Sequence, residues 1–586
     1  MPSKAGHASL LRKYLGPQRG AAALTGVFLL CGIALALAGP VVASTFIRMV
    51  QSGATVSSLV GVAVFFLVVT SAQQAMKALA TYWSERVGWT ATNQLRGDLL
   101  AHVLGMDLSF HESRSSGELI ERIDGDVNEI NGFFSRFVAL LLGNILLLAG
   151  ILVMLTTIDP WVGLIFGVLA LAGVGALLYV GSLGVPQWKD DRQEGALFYG
   201  YLSETLHARE DLRSLGAERY AMARFLQRLR AWLPVKLRAT AWVNLVWLVS
   251  IALVTGITVL AYLFGSGLFY ANRLDISGVY LIVAYAMMLM APMEAIKEQL
   301  AYLQQATAAV IRVRELLAVR SELASGTTEI PEGRPLSVRF DHVNFRYPGS
   351  RPAGADPDAR ATALRDVSFE LPAGRVLALV GRTGAGKSTI AHLLFRLYDP
   401  QAGTVRVGEV DLRDARLASL RENIGLVTQD VHIFDASVRD NLTFFDETVP
   451  DRRLTEVLAV LGRAEWLDGL PDGLDTTISA GSLSAGEAQL VAFARVFLKD
   501  PGLVILDEAS SRLDGATEQL MDRAMDGLLG NRTAIIIAHR LETMWRADDV
   551  LMIEDGRVVE HDTAASLLSD GDSRFAMLHR VGDARL

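Results

Sequence analysis

Six apolar stretches fill most of the first 320 residues, at 21–50, 57–80, 137–157, 161–185, 241–270 and 276–296. Each holds about the 20 residues that a helix needs to cross a hydrocarbon core of roughly 30 Å. In lipid a backbone must satisfy its own polar groups, which leaves helices and closed barrels as the only spanning structures. The pattern therefore predicts a six-helix, all-α transmembrane domain over residues 1–320, and disfavours a soluble helical core.

Charge orients that bundle. Lys4, Arg12, Lys13 and Arg19 precede the first stretch and residues 186–240 are rich in Arg and Lys, whereas the turns around Gly53, Asp159 and Asn272 hold almost none. By the positive-inside rule the N-terminus and the long loops face the cytoplasm, and an even number of crossings returns the second half to the same side. The first stretch is too long for a cleaved signal core, so a multi-pass protein of the cytoplasmic membrane is expected. With 51% hydrophobic and 20% charged residues the chain fits neither one soluble enzyme nor a membrane span throughout, and its composition changes near residue 320. The lone cysteine, Cys31, offers neither a disulfide nor a metal site.

Beyond a linker rich in Ser, Gly, Thr and Pro at 321–335, residues 336–586 read as a soluble α/β domain. Gly381, Arg382, Thr383, Gly384, Ala385, Gly386, Lys387, Ser388 and Thr389 fit G-x-x-x-x-G-K-[ST], between an apolar strand at 376–380 and a helical run at 390–397. Glycines let backbone N–H groups close around phosphate oxygens, and the helix N-terminus adds partial positive charge. Lys387 suits the β- and γ-phosphates and Ser388 suits Mg²⁺. A second apolar strand at 503–506 ends in Asp507 and Glu508, two adjacent acids that call for a cation and a water to polarise. Gln429 and His539 also close apolar strands, where a water-orienting or γ-phosphate-sensing group belongs.

With these motifs in this order, the sequence resembles the ATP-binding cassette (ABC) transporters over nearly its whole length. The resemblance implies that Tyr347 in FRYPG stacks on adenine, that Gly381 to Thr389 form the Walker A loop, and that Gln429 is the Q-loop residue and a Mg²⁺ ligand. It makes 483–487, LSAGE, the signature with Ser484, Gly486 and Glu487; Asp507 the Walker B acid; Glu508 the general base; Asp514 the D-loop; and His539 the switch histidine. In that family two cassettes meet head to tail, and the signature of one closes over the ATP of the other. ATP and Mg²⁺ are the implied ligands, and a dimer is required.

LSAGE departs from the commoner LSGGQ, and Ser484 with Glu487 also fits a capping box, S-x-x-E, so Glu487 is expected to hold the start of the helix that follows. The preceding segment, 477–482, is short for the family and lacks its usual glutamate. Such irregularities favour an unlike second half-transporter, a heterodimer, over a homodimer.

The membrane half resembles the exporter-type (type IV) fold, whose cytoplasmic loop tips dock on the cassettes. Phe110, His111 and 116–126 match the first such region and 204–218 the second. A further stretch, 349–361, reads as a lengthened surface loop.

Export of a lipophilic or amphipathic compound, driven by closure of two ATP-bound cassettes, is the expected function. Absence of an N-terminal peptidase or siderophore-reductase domain supports that over a siderophore importer on the same scaffold, and intact Glu508 and His539 disfavour a nucleotide-gated channel. Net charge −8 argues against nucleic acid as a partner. Asn144, Asn244 and the cluster Met287, Met288, Met290 and Met293 fit helix packing at least as well as a substrate path, and Glu294, Lys297 and Glu298 stand at the inner end of the last span.

Overall fold

The computed structural model describes residues 12–133, 135, 140–348, 362–429, 431–507, 515–537 and 544–583. They form two compact units: one of residues 1–104 and 116–319, the other of residues 105–115 and 320–586.

The first unit is helical. Among its described residues five helices are long and apolar enough to span a bilayer: Arg12–Gln51, Val56–Leu104, Pro160–Leu183, Glu218–Tyr270 and Ile276–Ile296. The remaining expected stretch appears as the apolar helix Leu142–Ile158, and its first residues, 137–139, lie outside the described set. Val56–Leu104, with 49 residues, is about 75 Å long, far more than one crossing needs, so it continues well past the hydrocarbon. Helix starts follow local chemistry. Asp159 accepts the N–H of Trp161 at 2.9 Å with Pro160 at the first helical position, and Asp275 accepts the N–H of Gly278 at 2.9 Å.

Small residues set the packing of the bundle. A Cβ on Gly173 would strike the Met293 methyl, and one on Gly265 would lie 2.8 Å from Val279 Cγ1, so these backbones approach as closely as they do because a side chain is missing. The apolar core runs through Ile151, Phe166, Ala261, Ile282, Tyr285 and Met293. Met287 is exposed while Met293 is fully buried, so the methionine cluster does not share one face. Asn144 donates to the carbonyl of Leu140 in its own helix at 2.7 Å, which satisfies it locally rather than between helices.

The second unit holds two sheets. Strands are numbered β1 (Val338–Arg346), β2 (Thr362–Leu371), β3 (Val376–Val380), β4 (Ala402–Val407), β5 (Val410–Asp411), β6 (Ile424–Val427), β7 (Ala436–Ser437), β8 (Thr477–Ile478), β9 (Leu503–Asp507), β10 (Thr533–Ile537), β11 (Asp549–Glu554) and β12 (Arg557–Thr563). One sheet has the order β2-β1-β4-β5, and the larger has β12-β11-β3-β10-β9-β6 with its inner pairs parallel.

Because side chains alternate along a strand, the larger sheet is apolar on both faces. Ala378, Leu506 and Ile536 point to one core, which the helix Ala485–Lys499 covers with Leu490 and Phe493. Leu379, Ile505 and Ile537 point to the other, which the helix Lys387–Leu394 covers with Ile390 and Leu394.

Two segments differ from a reading in chain order. Residues 321–335, expected as a linker, are packed: Thr328 N–H donates to the Asp414 carbonyl at 3.0 Å, Arg416 N–H to the Thr328 carbonyl at 2.8 Å, and Ile330 is buried. Small polar composition there permits close backbone pairing, as at Gly326, where a Cβ would collide with the Asp414 backbone. Residues 105–115 lie within the second unit although the membrane helices flank them in sequence. Asp107 makes this junction, accepting from the Ser321 hydroxyl at 3.1 Å and the Glu322 N–H at 2.7 Å, and Leu108 packs on the core that the two sheets share.

Candidate functional site

The carboxyl ends of β3, β9 and β10 stand level. Ile537 pairs with Leu379 on one side and Asp507 on the other. The P-loop therefore starts, and Asp507 ends its strand, on the same edge, with one strand between them; two strand spacings amount to about 9.5 Å. Gln429 follows β6 on that edge and is exposed. Ligands of open parallel sheets bind in this crevice.

The P-loop backbone needs its glycines. Gly381, Gly384 and Gly386 have φ of 155°, 83° and 109°, in the left-handed half of conformational space. A Cβ on Gly386 would lie 2.8 Å from the Ala363 carbonyl oxygen, so the loop is pressed against β2 and opens the other way. Gly386 caps the helix Lys387–Leu394, whose free N–H groups and dipole favour an anion. Lys387, 5% exposed, donates from Nζ to the carbonyls of Gly381 at 2.7 Å and Arg382 at 3.1 Å, so its ammonium already stands inside the loop. Ser388 is exposed at the second helical position and Thr389 is buried. Arg382, Thr383 and Gly384 are exposed and Ala385 is buried beneath them.

Tyr347 is half-buried beside the loop. Its hydroxyl is 3.1 Å from Thr389 Oγ1 and 3.0 Å from His392 Nδ1, and its ring meets those of Phe345 and Tyr398 edge to face at 4.9 and 5.3 Å. Burial pushes the Tyr347 phenol up, against the opposing Thr389 hydrogen bond. Burial pushes the His392 imidazole below its usual range, opposed by the charges of Asp507 and Glu112. Tyr398 holds a buried hydroxyl without a well-formed hydrogen bond; burial first, then the Glu112 carboxylate that it faces, push this phenol well above its ordinary value. Glu112 belongs to the short helix Leu108–Glu112, so Tyr398, which packs on Tyr347 beside the P-loop, faces a segment that sequence order assigns to the membrane half. Sequence reasoning missed His392, Tyr398 and Glu112. The only signal was Thr389 and His392 at i and i+3 on one helix face.

LSAGE forms the start of the helix Ala485–Lys499. Ser484 and Glu487 make the reciprocal capping box: Glu487 N–H donates to Ser484 Oγ at 3.3 Å and Ser484 N–H to Glu487 Oε2 at 2.9 Å. Gly486 is buried beneath it. Arg463, which the sequence did not single out, lies 2.9 Å from Glu487 Oε1. Beside β6 a cavity of about 650 Å³ is lined by Thr428, His432, Phe444, Arg495 and Lys499. Glu508, Asp514 and His539 lie outside the described residues, as do 349–361 and the side chains of Lys297 and Glu298.

A P-loop at the carboxyl edge of a parallel sheet, in a chain that also carries helices able to span a bilayer, defines a membrane-embedded P-loop ATPase. Residues 23–293 match the family model described as the ABC transporter transmembrane region, and residues 364–511 match the one described as ABC transporter. An uncharacterized ABC transporter ATP-binding protein, YknV of Bacillus subtilis (strain 168), is 30% identical over 85% of this chain and 81% of its own. ATP-dependent lipid A-core flippases are similar too: that of Chromobacterium violaceum is 30% identical over 86% of both chains, and that of Vibrio vulnificus (strain YJ016) 29% over 86% of this chain and 85% of its own. The chain belongs to the ABC transporter family. It is an exporter-type half-transporter, a multi-pass membrane protein that binds ATP and couples its hydrolysis to transport.

Proposed function

We propose that this chain exports a lipophilic or amphipathic compound across the cytoplasmic membrane, as one half of a dimer that holds ATP at the seam between two cassettes. The observation that carries this reading is the division of labour across the larger sheet. The helix after the P-loop covers one face and the helix after Ser484 covers the opposite face, so Ser484 and the P-loop of one chain start from opposite sides of the same layer. A second cassette turned head to tail brings its Ser484 counterpart to this chain's phosphates.

In this reading Tyr347 stacks on adenine and the backbone from Gly381 to Thr389 encloses the phosphates. Lys387 exchanges its two carbonyl acceptors for phosphate oxygens. The donor set fits Mg²⁺: Ser388 is exposed at the helix start, Asp507 ends β9, and Gln429 follows β6 on the same edge. Mg²⁺ held by these three groups supplies charge neutralisation at the phosphates. Glu508 polarises the attacking water, His539 senses the γ-phosphate, and Asp514 acts as the D-loop residue. Ser484, Gly486 and Glu487 stand at the nucleotide of the other chain.

Closing of the cassettes on ATP and their parting after hydrolysis shift the bundle between inward- and outward-open populations, through differential nucleotide affinity for the two states. The flippase relatives support a lipid-like cargo. The glutamate in LSAGE supports an unlike partner chain. Inside-out vesicles test the direction: ATP-dependent accumulation of a fluorescent lipid or amphiphile, lost in Glu508→Gln, is the expected result. ATP-driven depletion would overturn export in favour of import, and full turnover by an isolated monomer would overturn the shared site.

A further inference from the structure

The hydrogen bonds of Ser484 leave its hydroxyl with nothing to give. A serine hydroxyl carries one proton. Here it accepts from the Glu487 N–H at 3.3 Å and donates to Glu487 Oε2 at 3.0 Å, while the Ser484 N–H goes to the same oxygen at 2.9 Å. The other carboxylate oxygen is 2.9 Å from an Arg463 amino group, and that guanidinium lies over the Trp466 ring at 5.4 Å. Arg463 and Glu487 have side chains only 16% and 27% exposed, so water screens the pair weakly. An anion thus already sits at the N-terminus of a 15-residue helix and takes two donors that a phosphate approaching that terminus would need.

We propose that Glu487 is a resident anion that competes with the γ-phosphate of the other chain's ATP, and that Arg463 restrains this carboxylate, so that the pair sets how tightly the seam closes on this face. The inference rests on the reading that Ser484 meets the nucleotide of the second chain. Arrival of the phosphate requires the Ser484 hydroxyl to turn from Glu487 to a phosphate oxygen, with the carboxylate left to Arg463. A glutamine at 487 keeps the capping box, because the S-x-x-E/Q pattern works with either residue, yet it removes the charge and holds the serine proton through a weaker, neutral bond.

The test uses the full-length chain assembled as its dimer in lipid nanodiscs, and reads the ATP concentration for half-maximal hydrolysis alongside the melting temperature. Glu487→Gln should lower that concentration by about three- to tenfold, and Arg463→Met, which frees the carboxylate from its cation, should raise it by a similar factor. Arg463→Lys, which keeps the charge if Met disturbs folding, should stay near wild type. An unchanged or higher half-saturating concentration in Glu487→Gln, with its melting temperature preserved, overturns the proposal. Gly486→Val separates the two levels: loss of turnover there, with no shift in Glu487→Gln, sinks the competition alone. Normal turnover in Gly486→Val sinks the shared-seam reading beneath it.

Discussion

The Nε of Arg312 lies 3.0 Å from both carboxylate oxygens of Asp126, across 186 positions of sequence. The pair is asymmetric: the Asp126 side chain is 2% exposed and that of Arg312 42%. Arg312→Met would strand a buried carboxylate with only Arg122, 4.0 Å away, as a weak substitute, whereas Asp126→Asn leaves a guanidinium that reaches water. The first change should therefore cost about 2–3 kcal/mol and the second about 1 kcal/mol. Thermal unfolding of the two variants in detergent checks this, and equal losses would show that the stranded charge is not what matters.

Lys387 stands between two P-loop carbonyls at 2.7 and 3.1 Å. Replacing it with Ala should reduce ATP turnover by about 10²-fold or more, because a point charge aimed at the phosphates is lost. Lys387→Arg should fail as well, since a planar fork does not fit a site built around one ammonium. Steady-state phosphate release from the reconstituted dimer is the measurement, and near-normal turnover in Arg would contradict the point-charge role.

Burial holds the His392 imidazole below its usual value of 6.5. A depressed folded pKa means that the unfolded chain binds the proton first. Stability from neutral His392 is thus complete above about pH 6.5 and is lost as pH falls through that value towards the folded pKa. The melting-temperature advantage of wild type over His392→Leu should shrink between about pH 7.5 and 5.5. An advantage that grows on acidification would mean the imidazole is charged in the folded protein.

Glu508 adjoins Asp507 at the end of β9 in sequence. Glu508→Gln should keep nucleotide binding and lose turnover by about 10²- to 10⁴-fold, the range for loss of a general base. Binding is read with a fluorescent ATP analogue and turnover by phosphate release, and an unchanged rate would remove the assignment.

What could be read along the chain was local. The P-loop declares itself because phosphate binding needs particular residues at fixed spacing on one continuous strand, loop and helix, and Gly381, Gly386 and Lys387 adopt the conformations that this chemistry asks for. The capping box at Ser484 was legible for the same reason, as it spans a single helical turn. Arg463 was not, because its bond to Glu487 joins the residue that precedes the helix Ala464–Asp468 to a different helix. Residues 321–335 misled, since Ser, Gly and Thr suit a free linker and a tightly paired backbone equally well, and only the neighbouring 414–419 segment decides between them.

The amino-acid order alone determined that the front half needs a bilayer and that the back half needs a nucleotide: runs of some 20 apolar residues and a phosphate-binding loop are short-range demands of hydration and of backbone geometry. Only the tertiary structure decided that the Lys387 and Ser484 helices fall on opposite faces of one sheet, and that Asp107 to Glu112 join the nucleotide-binding unit. Those relations depend on strand order and on contacts between residues far apart in sequence, where alternation gives each strand two faces but does not say which helix covers which.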